Sequence, residues 1–159
     1  MPRILLASAV LAGLLVLTVS LARTAAAQAA PSANDPSGMY TFLKEGEFVQ
    51  LTVEDGTLSG FVSRFGDTES DKGEFIDQFF DKASLEGSRL SFKTKTVHAV
   101  WYEFDGTISV APGKKVGDEG YRLIRGKLTL HTSDPKGNDQ ASEKTMELKS
   151  FPDLRHANN

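Results

Sequence analysis

The sequence predicts an all-β domain of about eight antiparallel strands, running up and down into a barrel, with a two-sheet β-sandwich as the alternative. Three observations predict it. From Gly38 onward the chain is a series of short segments rich in Val, Phe, Tyr, Leu and Thr, punctuated by Gly and Asp at a spacing of roughly 8–12 residues. Asp55-Gly56 stands between two alternating segments and supplies the positive φ angles of a type I′ hairpin turn. Leu58-Ser-Gly60-Phe-Val62, Phe104-Asp-Gly106-Thr-Ile108 and Ile124-Arg-Gly126-Lys-Leu128 share the pattern apolar-x-Gly-x-apolar. With side chains alternating along a strand, each of these glycines lies on the apolar, inward face. Inward glycines repeated in several strands let a sheet bend and close, which favours the barrel over the sandwich.

The first candidate strand is Met39–Leu43. The second is Phe48–Glu54, with Val49, Leu51 and Val53 on one face and Gln50, Thr52 and Glu54 on the other. Thr57–Phe65 returns from the Asp55-Gly56 turn, and Gly66–Gly73 is a polar loop. Phe75, Ile76, Phe79, Phe80 and Ala83 are spaced as on one face of a helix, so a short helix over Glu74–Phe80 competes with a strand beginning near Gln78. The strand is preferred, because Phe79–Glu86 runs through Gly87-Ser88 into the alternating segment Arg89–Lys95, as a hairpin would. Thr96–Val110 is the strongest β-former, followed by a Pro/Gly/Lys-rich loop over Ala111–Glu119. Tyr121–Thr132 and Ser142–Phe151 complete the set, with a polar loop between them at Ser133–Gln140.

Residues 1–37 are of another kind. Arg3 precedes an apolar run from Ile4 to Ala22, and small residues from Ala25 to Ala30 follow, the three parts of an export signal. Cleavage is expected after Ala27; the length of the run, close to the ~20 residues that span a bilayer, makes a retained anchor the alternative. Residues 28–37 are expected as a flexible leader, 38–152 as one domain and 153–159 as a disordered tail. Loss of residues 1–27 removes Arg3 and Arg23 and leaves 16 basic against 21 acidic residues, a net charge of about −5. That balance argues against nucleic acid as a partner. The chain has no cysteine, which rules out disulfides, thiolate metal sites and thiol catalysis, and means the core must hold without staples. The mature form is expected to be soluble, not membrane-spanning, and periplasmic or extracellular.

Gly38-Met39-Tyr40 and the Leu85–Phe92 hairpin, with the order of short strands, resemble lipocalin-like (calycin) barrels, and among them small exported bacterial proteins. The likeness covers Gly38 to Phe151. It implies an up-and-down barrel able to hold a small, partly apolar ligand. The chain departs from lipocalins in carrying Tyr40 where their opening motif has Trp, in ending too soon after the last strand for their helix, and in lacking cysteine.

Motifs for chemistry are absent: there is no Gly-x-Ser-x-Gly elbow, no phosphate-binding Gly-x-x-x-x-Gly-Lys-Ser/Thr loop and no Gly-x-Gly-x-x-Gly. No cofactor, metal or enzymatic activity is expected. His98 and His131 could meet across strands but lack a third ligand at suitable spacing. Asp67, Glu69 and Asp71 alternate as calcium-loop oxygens do, but Lys72 and Gln78 occupy the places of the required glycine and glutamate. Glu103, Asp77, Asp81 and His98 could serve as acid–base groups, although nothing in their spacing demands it. The segment from His98 to Phe104 is the densest in recognition groups. Strict alternation puts His98, Tyr102 and Phe104 on the inward face with Gly106, as a ligand pocket with His98 as its polar group, or else as a filled aromatic core. Trp101 falls on the opposite face, and Arg64, Arg122 and Arg125 are candidates for an anion-binding barrel mouth. Two functions follow: a non-enzymatic barrel that binds or carries a small, partly apolar molecule, or an interaction or envelope module with a filled core and an exposed apolar patch.

Overall fold

The computed structural model describes residues 35–153; the expected signal segment and cleavage site, residues 28–34 of the expected leader and residues 154–159 of the expected tail lie outside them. The alternating segments become eight strands: β1 (Gly38–Thr41), β2 (Phe48–Glu54), β3 (Thr57–Phe65), β4 (Phe75–Glu86), β5 (Arg89–Thr94), β6 (Val100–Val110), β7 (Arg122–Ser133) and β8 (Asp139–Lys149). Each pairs antiparallel with the next in the order β1 to β8. They form one curled sheet, a half-barrel, with no helix among the described residues. Its two ends meet at a single bridge between Tyr40 and Ser150, beside which Phe151 N donates to Met39 O at 2.8 Å.

The core lies on the concave face. Val49 and Leu51 of β2, Val62 of β3, Leu90 of β5, Ile124 of β7 and Leu148 of β8 are completely buried there, each such side chain contributing about 1.5–3 kcal/mol. Tyr40 is also completely buried, and its hydroxyl donates to Pro36 O at 2.7 Å. Ser37 Oγ accepts from Val53 N at 2.9 Å. Residues 35–37, expected as the end of the leader, therefore extend the β1 edge as part of the domain.

Asp55 and Gly56 take φ angles of 51° and 75°, the turn their sequence requires. The strand reading also holds for the segment after Gly73, but β4 begins at Phe75, earlier than Gln78. Its helix-like spacing has a β explanation. Phe75 and Phe79 pair with outward residues of β3, whereas Phe80 and Ala83 pair with inward residues of β5, and a bulge between Phe80 and Lys82 shifts the phase. The segment Thr96–Val110 is not one strand. Val97 and Val100 exchange two backbone hydrogen bonds of 2.9 and 3.0 Å around His98 and Ala99, whose φ angles are 52° and 62°. A two-residue turn with both φ positive normally uses Gly or Asn, so His-Ala gives no turn signal in the sequence. β8 starts at Asp139 because the Asp134 carboxylate accepts the Lys136 and Asn138 amides and tightens the preceding loop.

The inward glycines stand as expected. Gly106 and Gly126 are directly opposite one another in the β6–β7 ladder. A Cβ on Gly126 would lie 2.3 Å from Asp105 O, 2.5 Å from Gly106 Cα and 2.7 Å from the Phe104 ring. Because two of those contacts are backbone, no side-chain rotation relieves them. Gly126→Ala should therefore destabilise the domain by about 1–3 kcal/mol, the range for overpacking, as read by chemical denaturation; an unchanged midpoint would contradict the close approach.

Candidate interaction face

The three residues expected to line a pocket separate. Tyr102 and Phe104 face inward, 4% and 2% exposed, inside a packed aromatic cluster. Phe80, Phe92 and Phe104 stack in sequence at centroid distances of 4.4 and 5.3 Å, and Phe42 meets Tyr102 edge-on at 5.2 Å. Burial pushes the Tyr102 hydroxyl up to about 12. His98 is not with them. It sits on the turn before β6, half-exposed, with Nδ1 2.8 Å from Asp71 Oδ2. The expectation that His98 shares the inward face fails because the turn at His98-Ala99 ends the alternation on which it rests.

The end of the interior nearest Tyr102 is closed by polar side chains. Arg64 is buried, its Nε donating to Gln78 Oε1 at 2.6 Å and its guanidinium to Asp67 Oδ2 at 2.7 Å. Gln78, completely buried, donates to Lys95 O and Val100 O at 3.2 and 2.9 Å. A buried charge persists only when paired and hydrogen-bonded, and Arg64 is both. The three arginines do not form a common mouth: Arg125 pairs with Glu147 on the outer face at 2.6 Å, and Arg122 lies over the Tyr121 ring at 5.4 Å.

The remaining candidates are also dispersed. Glu103 pairs with Lys93 at 2.9 Å, and Lys93, followed by His131, holds its carboxyl below the usual range. Asp77 accepts the Ser63 hydroxyl at 2.7 Å, and Asp81 sits at the β4 bulge. His131 stacks against Trp101 at 4.8 Å, away from the His98–Asp71 pair. Trp101 faces outward as expected and covers the neighbouring strand. Asp67 belongs to the Arg64 network, while the Asp71 carboxyl, hydrogen-bonded first by Thr68 and then by His98, is held below its ordinary value.

What the sequence reading missed is on the convex side of β2–β4. Registering Gln50 with Phe61, Phe61 with Phe79, and Phe65 with Phe75 places Phe48, Phe61, Phe65, Phe75 and Phe79 outward. That is half of the ten phenylalanines in the chain. Phe48, Phe61 and Phe79 form a row with centroids 5.9 and 5.4 Å apart; Phe65 and Phe75 stack at 4.6 Å. Phe75 and Phe79 are 53% and 56% exposed. The only charge between the two groups is Asp77. A solvent face of an antiparallel sheet is ordinarily polar, and the convex side of β5–β8 obeys that rule with the pairs Arg89–Asp105, Lys93–Glu103 and Lys127–Glu143, all at 2.8–2.9 Å. The signal was in the sequence. Apolar residues occupy both alternation phases in Thr57–Phe65 and again in the doublets Phe75-Ile76 and Phe79-Phe80.

No family model matches the chain, and neither a curated protein nor a solved structure matches it.

The packing of Tyr102 against Phe42 has a direct consequence for stability. Truncation to Ala should cost roughly 3–5 kcal/mol, as for other buried aromatic rings, measured by denaturation of the ligand-free protein. A loss below about 1 kcal/mol would mean that the ring borders a void.

Proposed function

We propose that this chain is an exported, non-enzymatic interaction module, a lipocalin-like meander whose interior is filled and whose working surface is the phenylalanine face of β2–β4. The observation that carries this reading is the pairing of two features: an aromatic stack occupying the interior, and five phenylalanines turned away from it. Aromatic enrichment with few charges marks the centre of protein–protein interfaces, and large contiguous apolar patches are uncommon on surfaces that meet only water. Among the described residues no helix is long and apolar enough to cross a membrane. The carrier alternative would use Tyr102 and Phe104, whose rings are in contact with Phe42 and Phe92.

A photo-crosslinking residue placed at Phe75 or Phe79 and expressed in the native host should capture a macromolecular partner. The same residue at Thr107, exposed on the ion-paired side of the sheet, should not. Phe79→Ser should cost no more than about 1 kcal/mol, the scale of one cross-strand pair, so loss of the cross-link would not reflect unfolding. Equal cross-linking from all three positions, or from none, would contradict the reading.

A further inference from the structure

The curled sheet has a seam. β3 and β4 share a ladder only from the Phe61–Phe79 pair to the Phe65–Phe75 pair. Thr57–Ser59 pair with β2 alone, and Lys82–Glu86 with β5 alone. The strands part at the β4 bulge, and a cleft of about 490 Å³ opens there, lined by Leu58, Ser59, Phe61, Phe79, Asp81 and Lys95 among others. Beneath it, the Phe80 ring lies where a Cβ on Gly60 would come within 2.8 Å, so the core is covered at this point.

The direction of the backbone groups follows from the ladder. Gly66 N donates to Glu74 O, so peptide groups of even-numbered β3 residues point toward β4 and those of odd-numbered residues toward β2. Phe65 N agrees, donating to Glu47 Oε1 on the β2 side. Arg64 faces Ile76 and Val62 faces Gln78. Of the next two, Gly60 accepts Phe80 N through its carbonyl as the last bond of that ladder, which leaves Gly60 N–H and both peptide groups of Leu58 facing the cleft.

We propose that this seam takes an extended polypeptide segment of a partner protein by strand addition to the Leu58–Gly60 edge. This rests on the interaction-module reading and adds the class of partner. An edge that presents alternating N–H and C=O groups is matched by another extended backbone, whereas an acyl chain would bury those groups unpaired at a cost. A second copy has one long open edge to offer, β8, but it reads Glu143-Lys144-Thr145-Met146-Glu147 with Lys144 opposite inward Leu128. Charged residues of this kind, one of them directed inward, guard an edge against pairing. Side chains of the added segment that alternate outward fall against Phe61 and Phe79, which select branched or aromatic apolar residues. Asp81, Lys82 and Lys95 at the rim make no ion pair among the described residues, and their excess of cations favours an acidic residue at the segment's flank.

The test uses a nonapeptide enriched from a random library on the immobilised, exported protein. Amide hydrogen exchange by NMR is followed in the free protein and at peptide saturation. Leu58 and Gly60 should exchange quickly when free and slow by about tenfold or more when bound, while Val62, already paired with Gln78, should not change. N-methylation of alternate peptide residues should abolish binding, and methylation of the intervening ones should not. Phe79→Glu, at the cleft, should weaken binding at least about tenfold. Thr107→Glu, exposed on the ion-paired side of the sheet, should leave peptide binding intact. No enrichment, or binding without protection of Leu58 and Gly60, would overturn the seam assignment, and the Phe75 cross-link would be unaffected by that failure. Comparable Phe79-dependent binding to phosphatidylcholine vesicles, or a Phe79-dependent dimer in sedimentation, would overturn it by naming lipid or a second copy as the occupant.

Discussion

The Phe104 ring, lying over the facing glycines Gly106 and Gly126, is the contact on which the rest of the structure depends. Its Cζ is 2.7 Å from where a Cβ on either glycine would stand, so the ring and the two bare backbones occupy one another's space. Glycine costs a strand both entropy and packing surface. Here that cost is offset by an aromatic ring brought against the sheet itself, and the same ring continues into the stack with Phe92 and Phe80. The stack runs along the concave face across three adjacent strands, from β6 through β5 to β4. A half-barrel joined at its ends by only one bridge has no full ladder to hold it shut. Its curvature is held instead by the side chains packed on its concave face.

The outside is divided by β4. Before its bulge, β4 belongs with β1–β3, and its outward residues are Phe75, Asp77 and Phe79. After the bulge it belongs with β5–β8, whose outward residues are cross-strand ion pairs. Exposed pairs of that kind contribute little each, about 0.2–1 kcal/mol, but they make that surface polar. The phenylalanine half has no such protection. The bulge both creates the boundary and opens the seam, because a strand that shifts phase cannot keep its ladder with the neighbour it leaves. Sequence, surface and cleft are thus linked through one irregularity, next to Phe80.

Much of the fold was legible in the residues. Asp55-Gly56, the alternation of Val49, Leu51 and Val53, and the apolar-x-Gly-x-apolar repeats each carry a local rule that the tertiary structure respects. Two features escaped the sequence reading, for different reasons. The turn at His98-Ala99 is formed by residues that rarely adopt positive φ, so the hairpin is imposed by the pairing of Val97 with Val100 and by Gln78 bonding Val100 O, not by local preference. His98 was misplaced as a result. The phenylalanine face was hidden by an assumption that apolar residues mark the core. Phe61 and Phe79 look like core residues until the register is known, and register is a property of strand pairs. Arg64 shows the converse: a strand arginine expected at a mouth is inside, because Gln78 and Asp67 together satisfy its guanidinium.

Native mass spectrometry of the protein isolated from its own cells tests most directly whether the interior is filled and the work is done outside. The expected spectrum contains the polypeptide alone or bound to a macromolecule, with the latter species lost in Phe79→Glu. A small molecule that travels with the wild-type protein and is lost in Tyr102→Ala or Phe104→Ala, with the fold retained, would contradict a filled interior and return the protein to the class of carriers.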